Sequence, residues 1–163
     1  MYKLLQNSVT RLSDGASIPF AEGNRDYREY LDWVAAGNTP EPEFTAAKLL
    51  ANAKEAKRTE VRTAYELDAG ADVLVGTVTY QGGFDSAIKL DSAKRLAEAA
   101  GLTKVTFFDS TNSPQVLLLA DAQLVILSVA AAFQTALARK QAAMVKIDKS
   151  TTSTIAKVNA ISY

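Results

Sequence analysis

Between Gly37 and Glu43 the chain reads GNTPEPE, and a helix cannot continue through it. Gly37 suits the left-handed position just past a helix end, and Pro40 cannot continue a helix. Two prolines at alternate positions hold the backbone extended. The stretch therefore divides the chain. We read residues 1–38 as an N-terminal β-ribbon and helix that form a docking module, 39–44 as a Pro-rich linker, and 45–163 as a second domain. The expected class is α+β: a small ribbon plus helix, then a mainly helical domain with two long helices and a small antiparallel β element.

Upstream of the stop, the sequence changes period. Tyr2–Gln6 and Val9–Leu12 read as strands around Asn7-Ser8, and Asp14-Gly15 marks a second turn. Ala16–Pro19 reads as a short extended piece that its proline confines to an edge. A ribbon this small needs a helix or a partner to cover it. Asn24 is placed to cap that helix, with Asp26 and Glu29 at the positive end of its dipole. Tyr27, Tyr30, Leu31 and Val34 fall on one face, and Trp33 lies off the stripe. Tyr27, Tyr30 and Trp33 are the candidate partner-docking residues. Trp33 is either pinned under the ribbon or presented to a partner.

Downstream, Thr45 is placed to cap a long helix to about Leu67, with Phe44 and Leu49 as a hydrophobic staple. Its stripe is thin: Ala46, Leu49, Leu50, Ala53, Val61 and Ala64, with Lys54, Lys57, Arg58 and Arg62 mostly off it. Gly70 ends the helix. VLVGTVTY (73–80) reads as one strand with a bulge at Gly76. Gln81-Gly82-Gly83 is a turn, and Asp85 or Ser86 is expected to cap a helix ending at Gly101. KVTFF (104–108) and QVLLL (115–119) flank the turn-rich DSTNSP, which predicts a hairpin. A second long helix is expected over about Ala120–Ile147, with Ile126, Ala130, Phe133, Leu137, Met144 and Ile147 on its buried stripe. STTST (150–154) is expected to cap a last short helix, Ile155–Asn159.

Composition removes whole classes of chemistry. The chain has no Cys and no His. Disulfides, thiolate nucleophiles, Ser-His-Asp relays and the usual zinc sites cannot be built. Asp68 and Asp72 are four apart, but Gly70 between them breaks the helix that would pair them. Gly82-Gly83 lacks the lysine of a phosphate loop. The polar run Asp109–Asn112 is explained as a hairpin turn. No enzyme activity, metal or cofactor is expected.

The chain is formally neutral, yet residues 1–43 hold four basic against seven acidic side chains. Arg139, Lys140, Lys146, Lys149 and Lys157 face only Asp148 at the other end. That asymmetry can orient a partner or a second copy, though a solvated helix face accounts for it. A nucleic-acid surface would need a more basic chain. The longest apolar stretch, around Leu124–Ala136, is broken by Ser128 and Gln134 and reads as too short to span a bilayer. Neither a membrane nor a nucleic-acid partner is expected, and the product is expected to stay soluble in the cytoplasm where it is made.

Two long patterns carry a resemblance. QNSVTRLSDGASIP followed by NRDYREYLDWVAAGNTPEPE resembles a segment recurring in tailed-bacteriophage tail proteins. VTYQGGFDSA, IKLDSAKRLAEAAG, a hairpin, an Ala-rich helix and TTSTIAKV are similar to a domain of uncharacterised function found in phage tail-fibre and tail-assembly proteins. Such domains usually have a Trp in the first hairpin strand, where this chain has Phe107-Phe108. The resemblance covers almost the whole chain and implies a virion role. It suggests a structural component of the tail tip or baseplate that attaches or braces the tail fibre. The alternative it implies is a fibre-assembly chaperone that does not stay in the particle. Tail-fibre or baseplate proteins are the implied partners. The stripes near Leu50 and Phe133 can be buried within one chain or between copies, which leaves a homo-oligomer open, and a trimer would match the usual fibre symmetry. The resemblance brings no catalytic residues.

Overall fold

Short strands and tight turns build the first sheet. In the computed structural model, which describes residues 1–149 and 151–163, β1 (Tyr2–Leu4), β2 (Ser8–Arg11) and β3 (Ser17–Pro19) form an antiparallel sheet in that order. Gly15 takes a φ of +74° in the β2–β3 turn, a conformation that a residue with a Cβ adopts reluctantly. Pro19 sits on the edge strand, opposite Ser8. α1 (Arg25–Ala35) starts at Asn24, whose side-chain oxygen accepts the N–H groups of Asp26 and Tyr27 at 2.8 and 3.4 Å. It stops before Gly37, at φ +88°. Tyr2, Val9 and Ile18, one from each strand, close over Tyr30 of α1 as the core of this unit.

The predicted linker is not slack. Glu41 donates its N–H to the Tyr2 carbonyl and accepts the Leu4 N–H, both at 2.8 Å. It thus runs parallel to β1 as a short fourth edge, opposite Lys3.

The chain folds as two compact units, Met1–Asn52 and Ala53–Tyr163. The division falls inside α2 (Ala46–Ala69). Thr45 caps this helix as predicted, accepting the Lys48 N–H at 3.2 Å. The fold class is α+β, with two long helices in α2 and α4 (Leu119–Asp148).

Within the second unit, the stretch 73–80 is not one strand. It is a hairpin of β4 (Val73–Val75) and β5 (Val78–Tyr80), with Val75 opposite Val78. Gly76 at φ +63° takes the first central position of the turn, and Thr77 keeps a negative φ. That is the type II′ pattern, whose twist suits a two-residue connection. α3 (Phe84–Ala99) is capped by Gly83, without a side-chain hydrogen bond, rather than by Asp85 or Ser86, which lie inside its first turn. β6 (Lys104–Phe108) and β7 (Pro114–Leu118) form the expected hairpin. α5 (Ile155–Asn159) is capped by Thr154. Ser150, the first residue of the predicted STTST cap, lies outside the described residues.

The core joins Tyr80, Ala97, Val105 and Phe107 to Ala122, Val125, Ile126 and Val129 of α4. The buried stripe of α4 continues through Ala136, Ala143 and Ile147. Only Ile126 and Ile147 of the predicted stripe are buried. Phe133 is half-buried against Phe84 and Tyr65. A smaller cluster sets Val61 of α2 against Ala143 and Ile147. Lys57, predicted off the α2 stripe, is buried as well, with its ammonium 2.7 Å from Glu60. Helix α4 is long and apolar enough to cross a membrane by length and composition, which the interrupted apolar run did not suggest. In this fold one face of it is core.

Candidate functional site

Helical spacing on α1 and the alternation of β1 bring the aromatic side chains of the first unit into one row. Tyr2 meets Tyr30 and Trp33 edge-on, with ring centres 5.2 Å away in each case. Tyr27 stacks on Tyr30 at 5.9 Å and meets Phe20 at 5.6 Å. Such offset and edge contacts stabilise beyond the area they bury. The three candidate docking residues separate here. Tyr30 is 7% exposed and belongs to the core, and burial raises the pKa of its hydroxyl. Tyr27 and Trp33 are half-buried at its margin. Beside Tyr27, Phe20 and Leu31 are exposed and extend an apolar rim.

The conspicuous polar residues of the same segment hold the module together. The Arg11 guanidinium grips the Asp14 carboxylate through Nε and Nη2, at 2.9–3.1 Å. It also lies within 4 Å of Asp26 and Glu29 on α1. The Arg11 contact, then the Ala16 N–H, holds the Asp14 carboxyl below its usual range. Asn38 donates its side-chain amide to the Trp33 carbonyl at 2.9 Å, closing the end of α1. The anchors Val9, Arg11, Asp14, Gly15, Asn24, Tyr30, Gly37 and Glu41 therefore each have a structural task.

In the second unit the end of α2 falls between the two aspartates that the sequence offered as a pair. Asp68 is engaged by Arg139 at 2.9 Å, and the Tyr163 hydroxyl lies 2.9 Å from the same carboxylate oxygen. Asp72 lies beyond the end of α2. Gly82 has a packing reason: a Cβ there would lie 1.8 Å from the Ala71 carbonyl oxygen. The Asp109 carboxylate is filled by its own turn, accepting from the Thr111 N–H and hydroxyl, the Ser113 N–H and the Gln115 amide. Those contacts, the Thr111 hydroxyl foremost, hold its carboxyl below the usual range.

A feature the sequence reading missed is a cavity of about 330 Å³ between α3 and β6. Leu90 and Ala93 form one wall, Thr106–Phe108 the other, and Tyr80 contributes from β5. Among the described residues Lys89 is the only charged one in its lining. The available signal was the KVTFF alternation, which places neighbouring phenylalanines on opposite faces. The meeting of that strand with α3 is a tertiary event that no local pattern encodes. No family model matches the chain, and neither a curated protein nor a solved structure is significantly similar to it.

Proposed function

We propose that this chain is a structural component of a bacteriophage tail tip or baseplate that attaches or braces the tail fibre. The observation that carries the reading is the anchor pattern from Gln6 to Glu43, whose residues are spent on a small module with an apolar rim. Without His or Cys, and with Asp68 and Asp109 already engaged, the side chains favour attachment over chemistry. On this reading the contact surface is the rim of Phe20, Tyr27, Leu31 and Trp33, while Tyr30 supports it from within.

Mass spectrometry of purified virions of the encoding phage tests the proposal. The chain is expected in the particle at a fixed ratio to the fibre protein. Absence from particles, with co-purification of free fibre protein from infected cells, would replace it with the assembly-chaperone reading. Finding the coding sequence outside any phage or prophage tail cluster would remove both. Leu31→Glu, on the exposed rim, is expected to lower incorporation while leaving the melting temperature unchanged.

A further inference from the structure

The ribbon β6–β7 is two-stranded, and neither strand has a second strand on its outer side among the described residues; the β6 edge is the one that borders a cavity. Asp109 donates its N–H to the Ser113 carbonyl at 3.0 Å, and Leu119 donates to the Thr103 carbonyl at 3.3 Å. These two bonds fix the phase of the antiparallel ladder. Val105 and Phe107 then turn their N–H and C=O groups toward β7, and Lys104, Thr106 and Phe108 turn theirs away. Ser110, next in that outward series, donates its N–H to the Thr79 carbonyl at 2.8 Å. Thr106 and Phe108 have no backbone partner on that side among the described residues.

That edge borders the cavity. Thr106, Phe107 and Phe108 all line it, although consecutive strand side chains point to opposite faces. What the three share on one side is the strand edge. Leu90 and Ala93 of α3 stand across from it. No acidic residue lines the cavity among the described residues. The other two cations of α3 within reach of an acid, Lys94 and Arg95, are paired with Glu98 and Asp91. Lys89 has no ion pair among the described residues. Asp85 lies one turn before it on α3, outside the lining. Elsewhere the extended segment at Glu41 occupies the open edge of β1; beyond the Ser110–Thr79 bond at its far end, no described segment plays that part for Thr106 and Phe108 of β6.

We propose that this groove receives an extended peptide segment of a partner protein, which adds to β6 as a third strand. Its backbone pairs with Thr106 and Phe108, an apolar side chain rests on Leu90 and Ala93, and a carboxylate meets Lys89. Strand addition of this kind draws affinity from the backbone ladder and selectivity from the side-chain pocket. A second copy fits less well, because its β6 would bring β7 and α3 with it against the same narrow cavity. The inference stands independently of the tail reading, since it rests on the second unit alone.

The test uses the full chain and a random heptapeptide library with free carboxyl termini. In the free protein, hydrogen exchange at Thr106 and Phe108 is expected to be much faster than at Val105 and Phe107. Selected peptides should alternate apolar residues and carry an acidic residue or the terminal carboxylate, and binding should slow exchange at Thr106 and Phe108. N-methylation of the pairing amide should abolish binding. Lys89→Glu, a surface change, should weaken binding by about tenfold or more, as expected for loss of one charge-assisted hydrogen bond. Ala93→Trp, which fills the groove, should abolish it. No enrichment over the Ala93→Trp protein overturns the proposal, as does binding that leaves those amides unprotected or is indifferent to Lys89→Glu. Protection of the same amides by self-association would assign the edge to a second copy, and equally overturn it.

Discussion

Phe107 and Phe108 are neighbours in sequence and opposites in environment, so a paired truncation tests the fold of the second unit directly. Phe107 is 2% exposed, in the cluster with Tyr80, Val125, Ile126 and Val129, whereas Phe108 is 59% exposed. Truncating a buried Phe to Ala removes its transfer free energy and leaves a cavity, at a cost of about 3–5 kcal/mol. A domain of this size is stable by roughly 5–15 kcal/mol, so Phe107→Ala removes a large share of the total. At about 4 °C per kcal/mol, the midpoint should fall by about 12–20 °C. Phe108→Ala should change stability by no more than about 0.5 kcal/mol, as surface substitutions generally do. Thermal and urea unfolding of the full chain, followed by circular dichroism, gives both numbers. Equal losses for the two variants, or a larger loss at Phe108, would refute the assigned β6 register.

Three further outcomes follow from the same geometry. Gly82→Ala must displace the Ala71 carbonyl oxygen, which would otherwise lie 1.8 Å from the new Cβ; about 1–3 kcal/mol of destabilisation is expected by urea unfolding, and a neutral result would contradict the packing of that turn. The Asp109 pKa is lower in the folded chain than its ordinary value of 3.8. Its contribution is therefore full above that value and lost as pH falls through the lowered folded pKa. Asp109→Asn should flatten this acid limb, and an unchanged pH–stability profile would count against the turn contacts. The Tyr163 hydroxyl is pushed up to about 12, first by burial and then by its hydrogen bond to Asp68. Its stabilising contribution is full below the ordinary value of 10.0 and lost as pH rises toward 12. Ultraviolet titration should show a tyrosine component near pH 12 that disappears in Tyr163→Phe.

Local rules located most element boundaries. Asn24, Thr45 and Thr154 cap helices where a side-chain oxygen was expected to, and Gly37 ends α1 in the left-handed conformation. The rules failed where two solutions share one pattern. β-Branched residues on both sides of Gly76-Thr77 satisfy a bulged strand and a tight hairpin equally; only the sign of φ at each turn residue separates them. In α4 the spacing picked a face of which packing buries only Ile126 and Ile147, because the first half is apolar nearly all round. Packing settled it in favour of small residues, with Ala122, Ala136 and Ala143 buried and Leu124 and Leu127 exposed. Of the candidate docking residues, Tyr30 proved to be core because Tyr2 covers it, a contact between residues far apart in the chain. The β6 groove was illegible for the same reason.

The short parallel bridge at Glu41 bears on how the first module carries load. The start of β1 and the run from Glu41 toward α2 leave the bridge at opposite ends, because the two segments point the same way. Tension between these ends shears the bonds at Tyr2 and Leu4 together instead of peeling them in turn. The two prolines beside Glu41 limit how far that segment can pay out before the bonds are strained. Under a pull on these two ends, the resistance of this stiff, acidic stretch would be a matter of unfolding rate rather than of equilibrium stability.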